Sequence, residues 1–173
     1  MALLNFRKSA PATTGPTPEM EALLKGYSIE IMPRTADKVD DFRHYLPAGT
    51  RVYIAHIDGT PIEAMVTTAK RIRAVGYEPR PHFAARSIPD QATLADWIAR
   101  YQGEADVKQG LILAGGISEP RGAYHASMQL LETGLFDKAG FTHLHVAGHP
   151  EGNRDIDKTG DAGVREALRW KQS

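Results

Sequence analysis

Side chains that could do chemistry stand in or just after five successive apolar segments of this sequence. A carboxyl group transfers protons, an imidazole transfers protons or binds a ligand, and adjacent glycines let a ligand approach the backbone. In sheets of parallel strands, functional groups gather where the carboxyl ends of the strands converge. We therefore predict one shared site. Its candidate residues are Glu30, His56, Asp58, His82, Gly115, Gly116, His143, His145 and His149.

Each candidate also has a structural interpretation. Glu30 lies between Ile29 and Ile31 in a predicted buried strand, where an unpaired carboxylate is costly to bury. An ion pair with Arg34 or Arg80 is therefore an alternative to a catalytic role.

The same holds for the other single residues. A lone histidine such as His82 is more often a satisfied core residue than a ligand. Gly115 and Gly116 can simply form a turn between a strand and a helix. A phosphate-binding role has weak support, because the sequence has neither a complete dinucleotide-binding nor a Walker glycine pattern.

Three histidines near the end of the chain suggest a metal site. His143 and His145 point to the same side of a strand, and imidazoles suit zinc or iron. However, no further carboxylate or histidine cluster stands at the spacing that a metal needs. We therefore predict no metal and favour a cofactor contact by His145 or His149, with a metal-dependent hydrolase as an alternative.

The composition narrows the class of protein. The chain has 173 residues, 42% of them hydrophobic, with 21 basic and 21 acidic side chains and no cysteine. A net charge of zero gives no basic field for nucleic acid or an anionic membrane surface. The absence of cysteine excludes disulfides and thiolate chemistry and fits a reducing compartment. With no membrane-length apolar run and no secretory signal, we predict a cytoplasmic protein.

Short apolar segments alternate with longer amphipathic ones, which predicts an α/β protein with parallel strands and helical crossovers. Residues 9–18 are small, polar and proline-rich, so we predict that residues 1–20 form a flexible arm. The predicted strands are 27–32, 51–57, 78–84, 110–113 and 142–146, and the predicted helices are 36–46, 61–75 with Thr60 as cap, 90–101, 123–135 and 162–171.

Two architectures fit these five strand–helix units: an open doubly wound sheet, or part of a (β/α)₈ barrel. A complete barrel needs about 250 residues, whereas only about 150 follow the arm. The sequence therefore predicts residues 21–173 to be one domain, containing about five of the eight units if it is a barrel.

Five ordered motifs resemble the methylenetetrahydrofolate reductase family. Residues 28–35 (SIEIMPRT) resemble its S-F-E-F-F-P-P-[RK]-T opening, and residues 81–82 (PH) its third-strand P-H. Residues 113–116 (LAGG) resemble its L-x-G-D, residues 147–153 (AGHPEGN) its A-x-[YH]-P-E-x-H, and residues 168–171 (LRWK) its L-x-x-K. The resemblance covers about residues 27–171.

The resemblance implies a (β/α)₈ barrel that binds FAD without covalent attachment at the carboxyl ends of its strands. It implies reduction of 5,10-methylenetetrahydrofolate to 5-methyltetrahydrofolate by NADH or NADPH through FAD, a step of one-carbon metabolism and methionine biosynthesis. Glu30 takes the position of the family's general acid, which protonates the folate so that its bridging ring opens to an iminium. A carboxyl inside a strand suits this role, because burial raises its pKa.

The resemblance also assigns residues to the cofactor and shows departures. The family aspartate of L-x-G-D is Gly116 here, its frequent arginine is Ala114, and the histidine of P-E-x-H is Asn153. Without that aspartate, the polar edge of the folate lacks a charged partner. The residues matching positions near FAD are His82, Gly115, Gly116, Ala126, His149, Asn153 and Lys171.

A non-enzymatic alternative follows from the count of five units. The family continues past the position of Ser173 into a sixth strand with a T-Q substrate motif. A chain with five units is expected to be a homo-oligomer or to associate through exposed sheet edges. It would then be a catalytically incomplete partner subunit that binds folate or flavin and completes a barrel with another chain.

Overall fold

The computed structural model describes residues 15–148 and 161–172. Within them, five strands form one parallel sheet in the order in which they occur along the chain. The α/β class and the alternating strand–helix units are thus confirmed. The strands are β1 (Ser28–Ile31), β2 (Arg51–Ile54), β3 (Glu78–Ala84), β4 (Gln109–Leu113) and β5 (His143–Val146).

The strand order distinguishes between the two predicted architectures. A doubly wound sheet has a point where the strand order reverses, and the described sheet has no such reversal. Sequential neighbours that are all parallel are the arrangement of consecutive units in a barrel.

Seven α-helices occur in the described parts of the chain, and none of them is long and apolar enough to cross a bilayer. The first overlaps the last three residues of the predicted arm, and residues 1–14 of that arm lie outside the described residues. The helices are α1 (Pro18–Leu24), α2 (Pro33–Ala36), α3 (Ile62–Ala74), α4 (Gln91–Ala105), α5 (Ser127–Glu132), α6 (Leu135–Lys138) and α7 (Asp161–Gln172).

The two longest helices match their predicted positions, although one cap differs. Asp90 caps α4 by accepting a hydrogen bond of 2.7 Å from the Thr93 N–H, as expected of an N-cap carboxylate. The predicted cap Thr60 is wrong for α3, whose N-cap residue is Pro61. The rigid φ of proline sets the entry to this helix without a side-chain hydrogen bond.

Two predicted helices are wrong because short-range polar groups and glycine divide them. Residues 36–46 contain only the end of α2 and a separate 3₁₀ turn, Phe42–His44, which begins where Asp41 accepts from the Arg43 N–H. Residues 123–135 contain α5 and the start of α6, which are separated by Gly134 at φ 65°. The apolar spacing was correct in both segments, but it did not reveal these breaks.

The hydrophobic core lies between one face of the sheet and the helices. Val52, Ile54, Phe83 and Ile112 alternate onto this face and are completely buried. Phe83 packs edge-on against aromatic rings of α4 and α6, with ring centroids 5.4 Å from Tyr101 and 5.0 Å from Phe136. This packing fixes the sheet against its helical layer. It thereby determines which side chains lie on the opposite face of the sheet.

The opposite face of the sheet carries polar side chains because side chains alternate along each strand. One row crosses β1, β2 and β3 at Glu30, Tyr53 and Arg80. The next row, two residues toward the carboxyl ends, crosses β3, β4 and β5 at His82, Leu111 and His145. We call this surface the polar face, and it includes several of the predicted site residues.

Candidate functional site

The closest contact between predicted site residues joins Glu30 to His82. Glu30 Oε2 lies 3.1 Å from His82 Nε2, bridging β1 and β3 across the intervening strand. The predicted ion-pair alternatives for Glu30, Arg34 and Arg80, are both wrong within the described residues. The Glu30 side chain is also 58% exposed, whereas the sequence predicts a buried carboxyl.

His82 is the buried partner in this pair. Its side chain is 8% exposed, and Nε2 makes no aligned hydrogen bond to a described residue despite its distance to Glu30. Burial lowers the pKa of His82, and the nearby charge of Glu30 opposes that shift in part. His82 therefore favours the neutral imidazole, which can donate or accept at Nε2 according to its tautomer.

Tyr53 links His82 to a second histidine on the polar face. Its ring lies edge-on to both imidazoles, with centroids 6.4 Å from His82 and 5.9 Å from His145. His145 Nε2 is buried and has no hydrogen-bond partner among the described residues. Burial lowers the pKa of His145, and the positive charge of Arg80 lowers it further.

A buried cation lies beneath these rings. Arg80 is 7% exposed, donates from Nη1 to the Tyr53 hydroxyl at 3.0 Å, and donates from Nε to Gln109 Oε1 at 2.8 Å. Its guanidinium carbon lies 5.4 Å from the centre of the Tyr53 ring. The sequence indicated Arg80 only as a partner for Glu30, because the pattern of β3 does not reveal that its charge is buried.

Gly115 and Gly116 line a cavity of about 260 Å³ at the carboxyl ends of β2, β3 and β4, together with His56, Asp58 and Ala84. Gly115 has φ 95°, and a Cβ there would lie 3.2 Å from the Ala84 Cβ. A Cβ on Gly116 would meet no described atom within 4 Å. The two glycines thus form a tight turn with one open side, as a ligand approaching the backbone requires.

His56 and Asp58 hold the loop that follows β2. His56 Nε2 contacts the Thr60 carbonyl oxygen at 3.0 Å, and its ring packs on Trp97 with centroids 4.9 Å apart. Its Nδ1 is buried without a described hydrogen-bond partner, and burial lowers its pKa. Asp58 Oδ1 accepts from Arg121 Nη2 at 2.6 Å, which ties this loop to the loop after β4.

A second buried arginine organises residues 114–126, which connect β4 to α5. Arg86 is 8% exposed and donates to three backbone carbonyls: Ile117 at 2.8 Å, His125 at 3.4 Å, and Ser118. Its own carbonyl accepts from the Arg121 N–H at 2.8 Å. Arg86 was missed by the sequence reasoning, since nothing in the local pattern signals a buried arginine after β3.

One further contact fits this loop to its surroundings. A Cβ on Gly122 would lie 1.7 Å from the Pro89 carbonyl oxygen, so the two backbones approach more closely than any side chain permits. Together with the Arg86 hydrogen bonds, this approach fixes the course of the loop, of which Ile117 lines the cavity.

The remaining predicted cofactor residues are divided between described and undescribed positions. The Ala126 N–H already donates to Gln129 Oε1 at 2.9 Å at the start of α5. Lys171 donates to the Ala147 carbonyl, which places the end of α7 beside the carboxyl end of β5. His149 and Asn153 lie outside the described residues.

The described residues contain no group of three or more histidine or acidic side chains arranged to hold a metal ion. His143 is exposed, and its Nδ1 lies 3.2 Å from the Thr142 hydroxyl. The His145 ring instead lies edge-on to Tyr53.

The lowered histidine pKa values predict that the protein loses stability in mild acid. In the unfolded chain His56, His82 and His145 take up protons near pH 6.5, whereas burial opposes this uptake in the folded chain. Stability therefore falls as the pH drops below about 6.5. Urea unfolding should show a lower midpoint at about pH 5.5 than at about pH 7.5.

Replacing one buried histidine tests the origin of this effect. His56→Gln should reduce the difference between the two midpoints, whereas His44→Gln, at an exposed histidine, is the control. Equal midpoints for the unmodified protein at the two pH values would contradict the prediction.

The site thus combines a carboxyl group and a buried neutral imidazole on the polar face with a glycine-lined cavity at the strand ends. His56 connects the two parts, because it lines the cavity and, when protonated, lowers the pKa of His82. The arrangement can hold and transfer a proton beside a bound ligand. No protein-family model matches the chain.

Proposed function

We propose that this chain is a methylenetetrahydrofolate-reductase-like flavoprotein that reduces 5,10-methylenetetrahydrofolate with NADH or NADPH through FAD. The observation that carries this proposal is the contact between Glu30 and His82 at 3.1 Å. It puts the proposed acid on the polar face, exposed to a substrate and next to a group that exchanges protons.

Glu30 and His82 can share one proton. When Glu30 is protonated, Oε2–H can donate to His82 Nε2, provided that the imidazole carries its own proton on Nδ1. When Glu30 is ionised, the other tautomer donates from Nε2 to Oε2. Glu30 can therefore deliver a proton to a nitrogen of the bridging folate ring while its carboxyl stays oriented by a fixed, buried neighbour.

The described residues fit a flavin at the carboxyl ends of β2 to β4. Gly115 and Gly116 present backbone beside an open space, and His56 and His82 each carry a buried ring nitrogen without an aligned described partner. Lys171 of α7 donates to the Ala147 carbonyl just after β5, so it brings a cation to the same edge of the sheet. When bound, FAD supplies hydride transfer between the nicotinamide and the folate.

The sheet supports the proposal that this domain belongs to a barrel. Five parallel strands follow chain order with helices between them, and the candidate residues concentrate at the carboxyl ends, as in barrel enzymes. In a barrel, the polar face of these strands would be the inner surface.

Addition of FAD tests the cofactor claim. Purified protein should show flavin absorbance or bind added FAD, and saturation at 100 times the dissociation constant should stabilise it by about 2.7 kcal/mol. Calorimetry and thermal unfolding measure both effects. If saturating FAD neither binds nor raises the unfolding temperature, the flavin assignment is wrong.

A pair of glycine variants locates the binding site. Gly115→Val forces a branched side chain into the left-handed region against Ala84 and should weaken FAD binding. Gly103→Ala, in α4, adds a methyl group where nothing lies within 4 Å and should leave FAD binding unchanged. Equal FAD affinity in both variants would place the flavin elsewhere.

A partner subunit that completes a barrel with another chain is the second candidate. Two features favour it. The described helices pack against the opposite face of the sheet rather than the polar face, and β1 and β5 are the outer strands of the described sheet. Light scattering after size-exclusion chromatography, combined with a turnover assay, distinguishes the two candidates. Folate turnover by this chain alone supports the enzyme, whereas an obligate assembly that binds folate or flavin without turnover supports the subunit.

A further inference from the structure

We infer that the polar face binds a carboxylate group, with Arg80 as its cationic anchor and His145 as a second contact. This site occupies the same two rows as the Glu30–His82 pair, with Arg80 in the row of Glu30 and His145 in the row of His82. It goes beyond the proposed reductase activity and does not depend on it.

Arg80 is incompletely paired in the described part of the chain. The residue is 7% exposed, and its two hydrogen bonds go to neutral acceptors, the Tyr53 hydroxyl and Gln109 Oε1. Its Nη2 group donates to no described residue. In the described part of the chain, no aspartate or glutamate forms an ion pair with it.

Such an arrangement is expensive unless an anion completes it. A buried charge loses its hydration, and an opposite charge or a full set of hydrogen bonds must offset that loss. Arg86 has three carbonyl acceptors, whereas Arg80 has only two neutral acceptors among the described residues. Tyr53 and Gln109 hold the guanidinium plane in place, which leaves both N–H bonds of Nη2 and the second N–H bond of Nη1 able to donate. Guanidinium groups match the planar geometry of carboxylates.

His145 lies against the same tyrosine ring as Arg80. Its Nε2 is buried without a described hydrogen-bond partner, and both its ring and the Arg80 guanidinium pack against Tyr53, at 5.9 Å and 5.4 Å. A neutral imidazole protonated on Nε2 can donate to one oxygen of a carboxylate while Arg80 binds the other.

The charges around this site also favour an anion. Of the two acidic residues on the neighbouring polar-face positions, Glu78 is held by both terminal nitrogens of Arg73 at 2.9 Å, and Glu30 contacts His82. The remaining ionisable groups that face Arg80 and His145 from the strands are basic or neutral. They are Arg51, Tyr53, His82 and His143.

The carboxylate can come from a small molecule or from an acidic side chain of a second copy of this chain. Glutarate is the probe for the first source, with its dimethyl ester as the uncharged control. At about 10 mM, glutarate fills about nine-tenths of a site with a dissociation constant of 1 mM. NMR of the unmodified protein should then show shifts of the Arg80 Nε–H and His145 ring signals, and the ester should cause none.

Variants assign the effect to Arg80. Arg80→Gln should weaken glutarate binding at least tenfold, whereas Arg100→Gln, on α4 and paired with Glu63, should leave it unchanged. Arg80→Lys keeps the charge but loses the planar fork, so an intermediate affinity is expected. If Arg80→Gln fails to fold, the shifts in the unmodified protein still show whether a small-molecule carboxylate binds near Arg80 and His145.

The second arm measures oligomeric state by light scattering. If a second copy supplies the carboxylate, the unmodified protein is a dimer that glutarate and Arg80→Lys both dissociate. The proposal is overturned if glutarate causes no shifts and the protein is a monomer. It is also overturned if glutarate causes no shifts and the protein is an oligomer that neither glutarate nor Arg80→Lys dissociates. Neither arm uses flavin or folate, so failure of the proposed function and failure of this site remain distinguishable.

Discussion

Under the proposed function, replacing Glu30 by glutamine is expected to reduce methylenetetrahydrofolate turnover by about 10²–10⁴-fold, the contribution of a positioned general acid. Glutamine keeps the size of the side chain and can still contact His82 through its amide. It cannot deliver a proton to the folate ring. Stopped-flow reduction of bound FAD by NADH or NADPH should continue at its normal rate, because that half-reaction needs no proton from Glu30.

A matched control is available on the same face of the sheet. Glu78 shares the strand alternation of Arg80 and His82, but at the amino end of β3 its carboxylate forms an ion pair with Arg73 of α3 at 2.9 Å. Glu78→Gln should therefore leave folate turnover close to normal. Equal loss of flavin reduction and folate turnover in Glu30→Gln would show that Glu30 is not the acid.

The second large effect is expected from Arg86→Met, which should reduce the free energy of unfolding by about 3 kcal/mol. Hydrogen bonds from a charged donor contribute about 1.5–3 kcal/mol each. The substitution also removes the cost of burying the guanidinium charge, so the net loss is smaller than the sum of the three bonds. Methionine fills a similar volume but leaves the carbonyls of Ile117, Ser118 and His125 without their buried donor. Urea unfolding measures the loss.

Loosening of residues 114–126 should accompany that loss of stability. Amide hydrogen exchange should rise in this segment before it rises in β3. Arg121→Met is the control in the same loop, because its ion pair with Asp58 is half exposed, and such pairs contribute at most about 1 kcal/mol. If the two variants lost equal stability, Arg86 would not be the organiser of the loop.

Prediction from the sequence succeeded where the physical signal is local. The alternation of apolar residues located all five strands to within a few residues, and Asp90 marked the start of α4. It failed where a break depends on one residue: Gly134 divides a continuous apolar pattern, and Asp41 starts a new turn inside another. Apolar spacing reports which residues are buried, but it does not report backbone continuity.

The candidate site shows the same division. The sequence placed Glu30, His82 and the two glycines at strand positions that could converge, and the structure brings Glu30 to His82. It did not indicate which partner Glu30 takes, because contacts across a strand depend on the register of three strands together. The assignments of His149 and Asn153 remain predictions.

The sequence by itself determined the α/β class, the positions of the strands and the residues that could exchange protons, because these follow from composition and from patterns along the chain. The tertiary structure alone decided the strand order, the contact of Glu30 with His82, and the burial of Arg80 and Arg86. The physical reason is that burial and ion pairing are properties of groups distant in the chain. An arginine in a strand looks the same in sequence whether water or protein surrounds its charge.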